Sequence, residues 1–385
     1  MTLDRILTLG DFERAAKRRL PHAIHTFIAS AAEEQRSRDA NLEAFDDYAF
    51  LPRMLVGIPT RSQSVNLFGR RYASPFGISP MGGAATCAFQ GDLNLARAAE
   101  AAEIPFVLSG ASSVAMETVI ENAPSAWYQG YIPSDRPGMG RLLDRVRAAG
   151  FRTLVITADV PIGSNRIADR RAGYHFPVRI TPALALEGLL HPRWLFGTVF
   201  KTMLRTGVPH FENMSADRGG PILGGPSVGP GARRELISWA DIAWIRSQWS
   251  ERLVVKGILR ADDAVRAKAA GADGIVVSNH GGRQLDFAQA ALRALPSIVD
   301  AAGDMTVMLD GGVRRGTDVL KALALGAKFV FVARPMMFAS AVAGEAGVRH
   351  AIGILQREID ISMLLLGCSD PDEVDRSLVT RSGKV

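Results

Sequence analysis

The sequence predicts an α/β fold, a (β/α)8 TIM barrel with helices before it and a long insertion after the fourth strand. Three observations carry this expectation. From about residue 74, short apolar runs alternate with longer amphipathic ones; small turn residues recur where helix should hand over to strand; and the strand-like runs number eight. Buried apolar strands alternating with helices imply a parallel sheet with helices outside it. An open doubly wound sheet gives about six or seven similar units, so the eighth favours closure.

The first 60 residues read as helical. Phe12–Leu20 and Ala23–Gln35 have helical spacing, and Pro21 suits a helix start. The expected strands are Phe76–Pro80, Phe106–Ser109, Ala126–Tyr131, Thr153–Asp159, Leu253–Lys256, Gly274–Asn279, Val307–Asp310 and Phe329–Ala333. Between them Leu93–Ala102, Gly140–Ala149, Trp239–Gln248, Ala261–Ala270, Ala288–Asp300 and Thr317–Leu325 read as helices. Ala149-Gly150, Ala270-Gly271 and Leu325-Gly326 supply small residues at the handover points. The rhythm breaks between Asp159 and Ser238. Residues 180–235 read as an insertion, with Ser215–Arg234 a mobile loop rich in Gly, Pro and Ser. The whole chain, 1–385, is expected to form one barrel domain.

Composition narrows the function. A hydrophobic content of 47% is that of a globular protein. Two cysteines, Cys87 and Cys368, can pair only once, so no disulfide framework is expected. No secretory or membrane-spanning apolar core is seen, which makes a cytoplasmic location the expectation. The net charge of +6 allows nucleic acid, an anionic membrane surface or anionic ligands as partners. No zinc-finger, RNA-binding or basic-zipper pattern occurs, so no nucleic acid is expected. No metal is expected either.

Polar residues sit at the expected strand ends: Tyr131, Asp159, Lys256, Ser278-Asn279-His280, Asp310 and Arg334. In a barrel these ends share one face, where active sites are built. In Ser278–Asp286, SNHGGRQLD, a histidine able to accept a proton lies three residues before an arginine able to grip a carboxylate. Two glycines between them let the backbone come close to a ligand. That set suits a substrate whose reacting carbon neighbours its carboxylate. A helix-entry turn with a structural His and a solvated Arg is the plainer reading. DGGVR (Asp310–Arg314) and Ala333-Arg334-Pro335 close strands seven and eight, where barrels frequently bind phosphate.

SNHGGRQLD resembles the signature of the FMN-dependent 2-hydroxy-acid oxidising enzymes, a family that includes glycolate oxidase, flavocytochrome b2, membrane-bound L-lactate dehydrogenase and mandelate dehydrogenase. WYQGY, ITADVPIGSNR, VVKG, DGGVRRGTDVLKALALGA and ARP follow the family's order, and the resemblance runs from about Asp11 to Ser377. It implies FMN as cofactor and a 2-hydroxy acid as substrate. By the same resemblance His280 is the base, Asp159 its carboxylate partner, and Arg283 and Arg166 the substrate carboxylate ligands. Tyr131 is the hydroxyl beside the substrate oxygen, and Lys256 lies near flavin N1. Pro80, Met81, Gly82, Ser109, Gln129, Thr157 and Ser278 line the ring and ribityl chain; Asp310, Gly311, Gly312, Arg314, Ala333 and Arg334 grip the phosphate. Two positions depart from the pattern. Phe27 stands where the family usually has a tyrosine that bonds the substrate carboxylate, and Ala333 where it has glycine.

The resemblance implies electrons passed to a quinone or other carrier, with an oxygen-using oxidase as the alternative and an FMN-barrel isomerase as the reading from another class. It also implies a homotetramer. On a helical wheel of Pro192–Gly207, Leu195, Phe196, Val199, Phe200 and Met203 share one face, with Arg193, Lys201 and Arg205 roughly opposite. Such a helix can lie in a lipid interface, and lactate and mandelate dehydrogenases of the family attach to membranes through the matching insertion. A peripheral position on the inner face of the cell membrane is therefore expected. Packing on the barrel, or a subunit contact, is the competing reading of this helix.

Overall fold

The computed structural model describes residues 2–174, 178–224 and 233–382. Eight parallel strands form one sheet: β1 (Phe76–Ile78), β2 (Val107–Ser109), β3 (Trp127–Gly130), β4 (Thr153–Thr157), β5 (Arg252–Ile258), β6 (Gly274–Val277), β7 (Thr306–Asp310) and β8 (Phe329–Val332). β8 pairs with β1, and a bridge from Ile78 to Phe106 joins β1 to the start of β2, so the sheet closes as a (β/α)8 TIM barrel. Helices surround it, and most apolar side chains lie between strands and helices.

The barrel interior has its own core. Val107, Trp127, Val155, Val254, Val276, Met308 and Phe331, one from each of β2 to β8, pack with Leu67 and Tyr72. Those last two come from an antiparallel hairpin, Val65–Leu67 with Arg70–Tyr72. Strand side chains alternate in direction, so the residue two positions further on also faces inward. Along β2 to β7 it is Ser109, Gln129, Thr157, Lys256, Ser278 and Asp310. An apolar layer is thus followed by a polar ring at the C-terminal mouth, and the site is a direct product of period-two alternation.

Most strands end one or two residues before expected, so Pro80, Tyr131, Asp159, Asn279 and Ala333 lie just past them. β5 instead runs on to Ile258 through an irregularity between Lys256 and Ile258.

Before the barrel come α1 (Leu9–Arg19), α2 (His22–Ala29) and α3 (Arg36–Glu43). The helix expected to reach Gln35 stops at Ala29 because its continuation is recruited by barrel loops. Ser30 Oγ donates to Asp169, Ala32 N–H to Gly282 O at 3.0 Å, and Glu33 N–H to Asn165 O at 2.9 Å. α3 then lies across the mouth. Asn41 and Asn279 exchange side-chain hydrogen bonds at 2.7 and 3.0 Å, and Asp286 accepts from Ser37 N–H at 2.8 Å. The approach explains Gly282: a Cβ there would lie 2.5 Å from Arg38 N.

The insertion carries α4 (Pro182–Leu190), then a helical run from Pro192 to Arg205 whose middle, Leu195–Phe200, is a π-helix. The wider turn breaks the single amphipathic face expected for 192–207. Leu195 and Val199 pack against the core, whereas Phe196, Phe200, Met203 and Leu204 are exposed. Lys201 leans over the Phe89 ring at 4.5 Å. Of the loop expected at Ser215–Arg234, residues 225–232 lie outside the described residues. The stretch before them is tied down, with Gly219 N–H donating to Phe211 O at 2.7 Å, Ile222 N–H to Pro209 O at 2.8 Å and Arg145 to Ser215 O at 3.2 Å.

Candidate active site

A cavity of about 280 Å³ opens at the C-terminal mouth. Pro80, Met81, Gly82, Tyr131, Arg166, Lys256, His280, Arg283, Asp310, Gly311, Gly312, Arg314, Ala333 and Arg334 all line it, with Phe27 of α2. Ser109, Gln129, Thr157 and Ser278 are outside this lining, on the barrel strands or just past them, and Asp159 stands behind His280.

His280 follows β6 in a short turn with φ of 57°, a left-handed conformation that non-glycine residues rarely hold. Its N–H donates to Ser278 Oγ at 3.0 Å, which fixes the turn. Its ring Nδ1 lies 2.9 Å from Asp159 Oδ1, across from β4. A hydrogen bond donated from Nδ1 leaves Nε2 as the basic nitrogen. Burial opposes ionisation of Asp159, but the charges of His280 and Lys256 outweigh it and hold the carboxyl below its ordinary range. Asp159 Oδ2 is buried without a hydrogen-bond partner among the described residues. Gly257 is what lets this carboxylate in: a Cβ there would lie 2.6 Å from Asp159 Cβ.

Lys256 Nζ donates to Ser278 Oγ at 2.8 Å and lies 3.0 Å from Asp310 Oδ2, with both side chains under a tenth exposed. Burial works against the ammonium, yet Asp310 and Asp159 raise its pKa above the ordinary value. Ser79 Oγ also donates to Asp310 Oδ2, at 2.8 Å. The Asp310 carboxylate therefore serves Lys256, which leaves the backbone of the following turn to face a phosphate. On the opposite wall Ser109 Oγ donates to Gln129 Oε1 at 3.1 Å, while Gln129 Nε2 is buried without a partner among the described residues.

Arg314 and Arg334 supply the cations of the phosphate end. Arg334 donates to the carbonyls of Ile28, Ser30 and Gly281 at 2.9–3.0 Å, and Arg314 to its neighbour Val313 O at 2.9 Å. Among the described residues neither forms an ion pair. Burial presses the pKa of both guanidiniums down. Two desolvated cations without anions, beside Gly311 and Gly312 with φ of 104° and 84°, fit a phosphate. Together with the orphaned Gln129 amide, they make the residues present a fit for FMN.

Arg283 donates to Phe27 O at 2.8 Å and Ser30 O at 2.9 Å, and its guanidinium lies 5.1 Å over the Phe27 ring. Burial, then repulsion from Arg166, pushes it down to about 9. An anion between the two arginines relieves both effects, which is what a substrate carboxylate provides. Phe27 stacks on Tyr174 with centroids 4.4 Å apart. The Tyr131 phenol is pushed up by burial and by Asp159.

Several lining residues have no precedent in the sequence reading, Arg234 foremost. The Arg234 guanidinium lies 4.8 Å over the Tyr131 ring, and its Nε is buried without a partner among the described residues. It comes from the far end of the insertion, where no motif marks it. Ser79, Ala111, Val160, Phe211 and Met214 were also unmarked and also line the cavity. Alternation along β1 could have found Ser79; the others stand on irregular backbone.

A family model described as FMN-dependent dehydrogenase matches residues 16–381. The L-lactate dehydrogenase of Azorhizobium caulinodans is 37% identical over 372 residues, covering 95% of this chain and 96% of that one. The L-lactate dehydrogenase of Caulobacter vibrioides is 38% identical over 378 residues, covering 96% of each. Among solved structures, the monotopic membrane protein (S)-mandelate dehydrogenase superposes with a TM-score of 0.88 at 32% identity, over 98% of this chain and 100% of that one. A mandelate oxidase with bound (S)-2-phenylpropionate gives 0.81 at 33% identity, over 98% of each chain.

Proposed function

The chain belongs to the FMN-dependent dehydrogenase family and is an FMN-dependent 2-hydroxy-acid dehydrogenase, and from that premise we propose that His280 is its base, Arg283 and Arg166 its substrate clamp, and a quinone at a membrane surface its electron acceptor. The observation that carries the catalytic part is the His280–Asp159 contact of 2.9 Å on the cavity that both arginines line. Arg283 and Arg166 hold the carboxylate, which sets C2 and its hydroxyl beside His280 and Tyr131. His280 Nε2 takes the proton, from C2 or from the hydroxyl when hydride leaves C2, and Asp159 stabilises the imidazolium that forms. Bound FMN would supply the acceptor for the two electrons removed from C2. Lys256 puts a positive charge near flavin N1. Pro80, Met81, Gly82, Ser109, Gln129, Thr157 and Ser278 surround the ring and ribityl chain. Gly311, Gly312, Arg314, Ala333 and Arg334 would hold the phosphate, with Asp310 turned toward Lys256. Phe27 offers no hydroxyl to the carboxylate and makes the wall apolar, which favours larger or aromatic 2-hydroxy acids over lactate and glycolate.

The test is dye reduction by the purified yellow protein across lactate, glycolate, mandelate and longer 2-hydroxy acids. Turnover with none of them sinks the reading. Stoichiometric peroxide formation in air assigns oxygen as the acceptor instead of a quinone.

The membrane part rests on the insertion. Leu186, Leu189 and Leu190 of α4 are exposed together with Phe196, Phe200, Met203 and Leu204, and Arg193, Lys201 and Arg205 are exposed near them. An apolar surface with basic residues around it suits an anionic lipid interface. The attachment in this reading is peripheral, on the inner face of the cell membrane; no helix of the described residues is long and apolar enough to cross a membrane. Wild type is expected to sediment with anionic vesicles, and a version with residues 182–205 replaced by a short linker to stay in solution. Equal behaviour overturns the membrane role. The assembly is a homotetramer, to be checked by sedimentation velocity.

A further inference from the structure

Beneath that exposed apolar surface lies a second cavity, of about 370 Å³. Leu184, Gly188, Trp194, Val199, Met203 and Ile222 form much of its wall. Among the described residues, two with side-chain hydroxyls line it, Thr86 and Thr202. Thr86 Oγ1 donates to Gly83 O at 2.7 Å, and the Trp194 indole N–H donates to Thr86 O at 2.8 Å. Thr202 is 8% exposed, and its hydroxyl is buried with no hydrogen-bond partner among the described residues. The occupant that fits is therefore apolar over nearly its whole surface and offers a hydrogen-bond acceptor to one hydroxyl.

The two ends of this cavity say more. Ile180, Leu189, Phe200 and Met203 line it and are also exposed, so it opens on the apolar, basic-ringed face. The inner wall includes Ile24, Ala85 and Thr86. Ile24 is on α2, one turn before Phe27 and Ile28, which line the active-site cavity. Ala85 and Thr86 follow closely on Met81 and Gly82, which line it too. One helix and one short segment thus separate a hydrocarbon-lined chamber from the redox site.

We propose that this chamber is the docking site of a lipid-soluble quinone, which enters from the membrane side and oxidises the flavin across the partition formed by Ile24 and Ala85–Thr86. The proposal rests on the membrane-dehydrogenase reading above. The balance closes without another reactant. The hydroxy acid loses two electrons and two protons to become the oxo acid; both electrons pass through the flavin to the quinone, and with two protons its two carbonyl oxygens become the hydroxyls of the quinol. A phospholipid acyl chain would fill the same volume but leave Thr202 unpaired, and nothing about it calls for a wall shared with the redox site.

Two variants and a label test this. Gly188→Leu fills the chamber, since a Cβ at Gly188 meets only the ends of Trp194 and Leu195, at 3.5 and 3.7 Å. Thr202→Val keeps the shape and removes the hydroxyl. Both holoenzymes are assayed in phosphatidylglycerol vesicles, with decyl-ubiquinone and with a water-soluble dye as acceptors. Dye reduction should match wild type in both. Quinone reduction should fall by at least roughly tenfold in Gly188→Leu, and KM for the quinone should rise about fivefold in Thr202→Val, the worth of one neutral hydrogen bond. An azido-ubiquinone analogue should photolabel peptides within residues 180–205 of wild type, and unlabelled decyl-ubiquinone should suppress that label. Label elsewhere, or competition by a fatty acid but not by the quinone, overturns the proposal. So does quinone reduction at the wild-type rate in both variants. The labelling needs no turnover, so failure of the hydroxy-acid assay refutes the functional reading while the chamber is still judged by its label.

Discussion

Asp159→Asn removes one charge and leaves the shape of the site intact. The carboxylate meets His280 at 2.9 Å in a setting where its side chain is only 12% exposed. A hydrogen bond involving a charged group is worth about 1.5–3 kcal/mol, against about 1 for a neutral one. The attraction between imidazolium and carboxylate reaches about 4 kcal/mol at the effective dielectric of a site near a protein surface. The loss in the transition state is thus bracketed at about 1.5–4 kcal/mol, or roughly one to three orders of magnitude in rate. The amide has no good orientation. With its nitrogen toward His280 it forces the tautomer whose Nε2 is already protonated; with its nitrogen in the place of Oδ2 it buries a donor where the carboxylate oxygen now has no partner. The assay is anaerobic stopped-flow bleaching of the flavin over a range of substrate concentrations. The limiting rate should fall by that amount, while the concentration for half-saturation changes little, because Arg283 and Arg166 still hold the carboxylate. Bleaching at the wild-type rate would refute the assignment of Asp159 as the partner of the base.

Other perturbations separate the remaining roles. His280→Ala should retain FMN, measured by absorbance after gel filtration, and lose turnover by roughly two to four orders of magnitude. Phe27→Tyr should raise kcat/KM for lactate relative to mandelate, by at most the roughly 1.5–3 kcal/mol of a bond to a charged carboxylate; an unchanged ratio removes Phe27 from substrate choice. Gly312→Ala should abolish FMN retention or lower Tm sharply, because its Cβ would lie 2.1 Å from Asn41 O at a φ of 84°; normal flavin content and Tm would count against that packing. The Asp286 carboxyl is buried, which opposes ionisation, but N–H donors from Ser37 and neighbouring residues hold it below its usual range. Its contribution is thus complete above the ordinary carboxylate range and is lost as pH falls through its folded value. In Asp286→Asn, Tm followed from neutral pH down to about pH 3 should start lower and fall less steeply than in wild type.

The barrel and its mouth were legible in the sequence for one reason. Alternation along buried strands puts an apolar and then a polar residue on the same inward line, so Val107–Ser109, Val254–Lys256 and Met308–Asp310 each announce both a core position and a site position. What was not legible depends on contacts made far away. Helical spacing continues past Ala29, but Ser30, Ala32 and Glu33 are bonded by Asp169, Gly282 and Asn165, and those bonds outweigh local propensity. In 192–207 α-helical spacing announced a single amphipathic face, yet a π-helical turn over Leu195–Phe200 redistributed which side chains face outward. Arg234 reaches Tyr131 from the start of a single 3-10 turn, Arg234–Leu236, too short to show a periodicity in the sequence.

The order in which the chain is made has a bearing on how the holoenzyme forms. Ser37 is bonded by Asp286, 249 positions later, and Asn41 by Asn279, 238 positions later. The lid over the mouth is therefore synthesised first and seated late. Until the loop after β6 is made, α3 lacks these partners, and until β7 and β8 follow, the phosphate end of the site does not exist. Once they emerge, FMN and α3 arrive at the same mouth. A cofactor that binds before the lid settles is enclosed by it, whereas a lid that settles first must lift again to admit one. Loading of this protein is thus a matter of timing as well as affinity, and a chain lacking its first helices should exchange its flavin far more readily than the whole one.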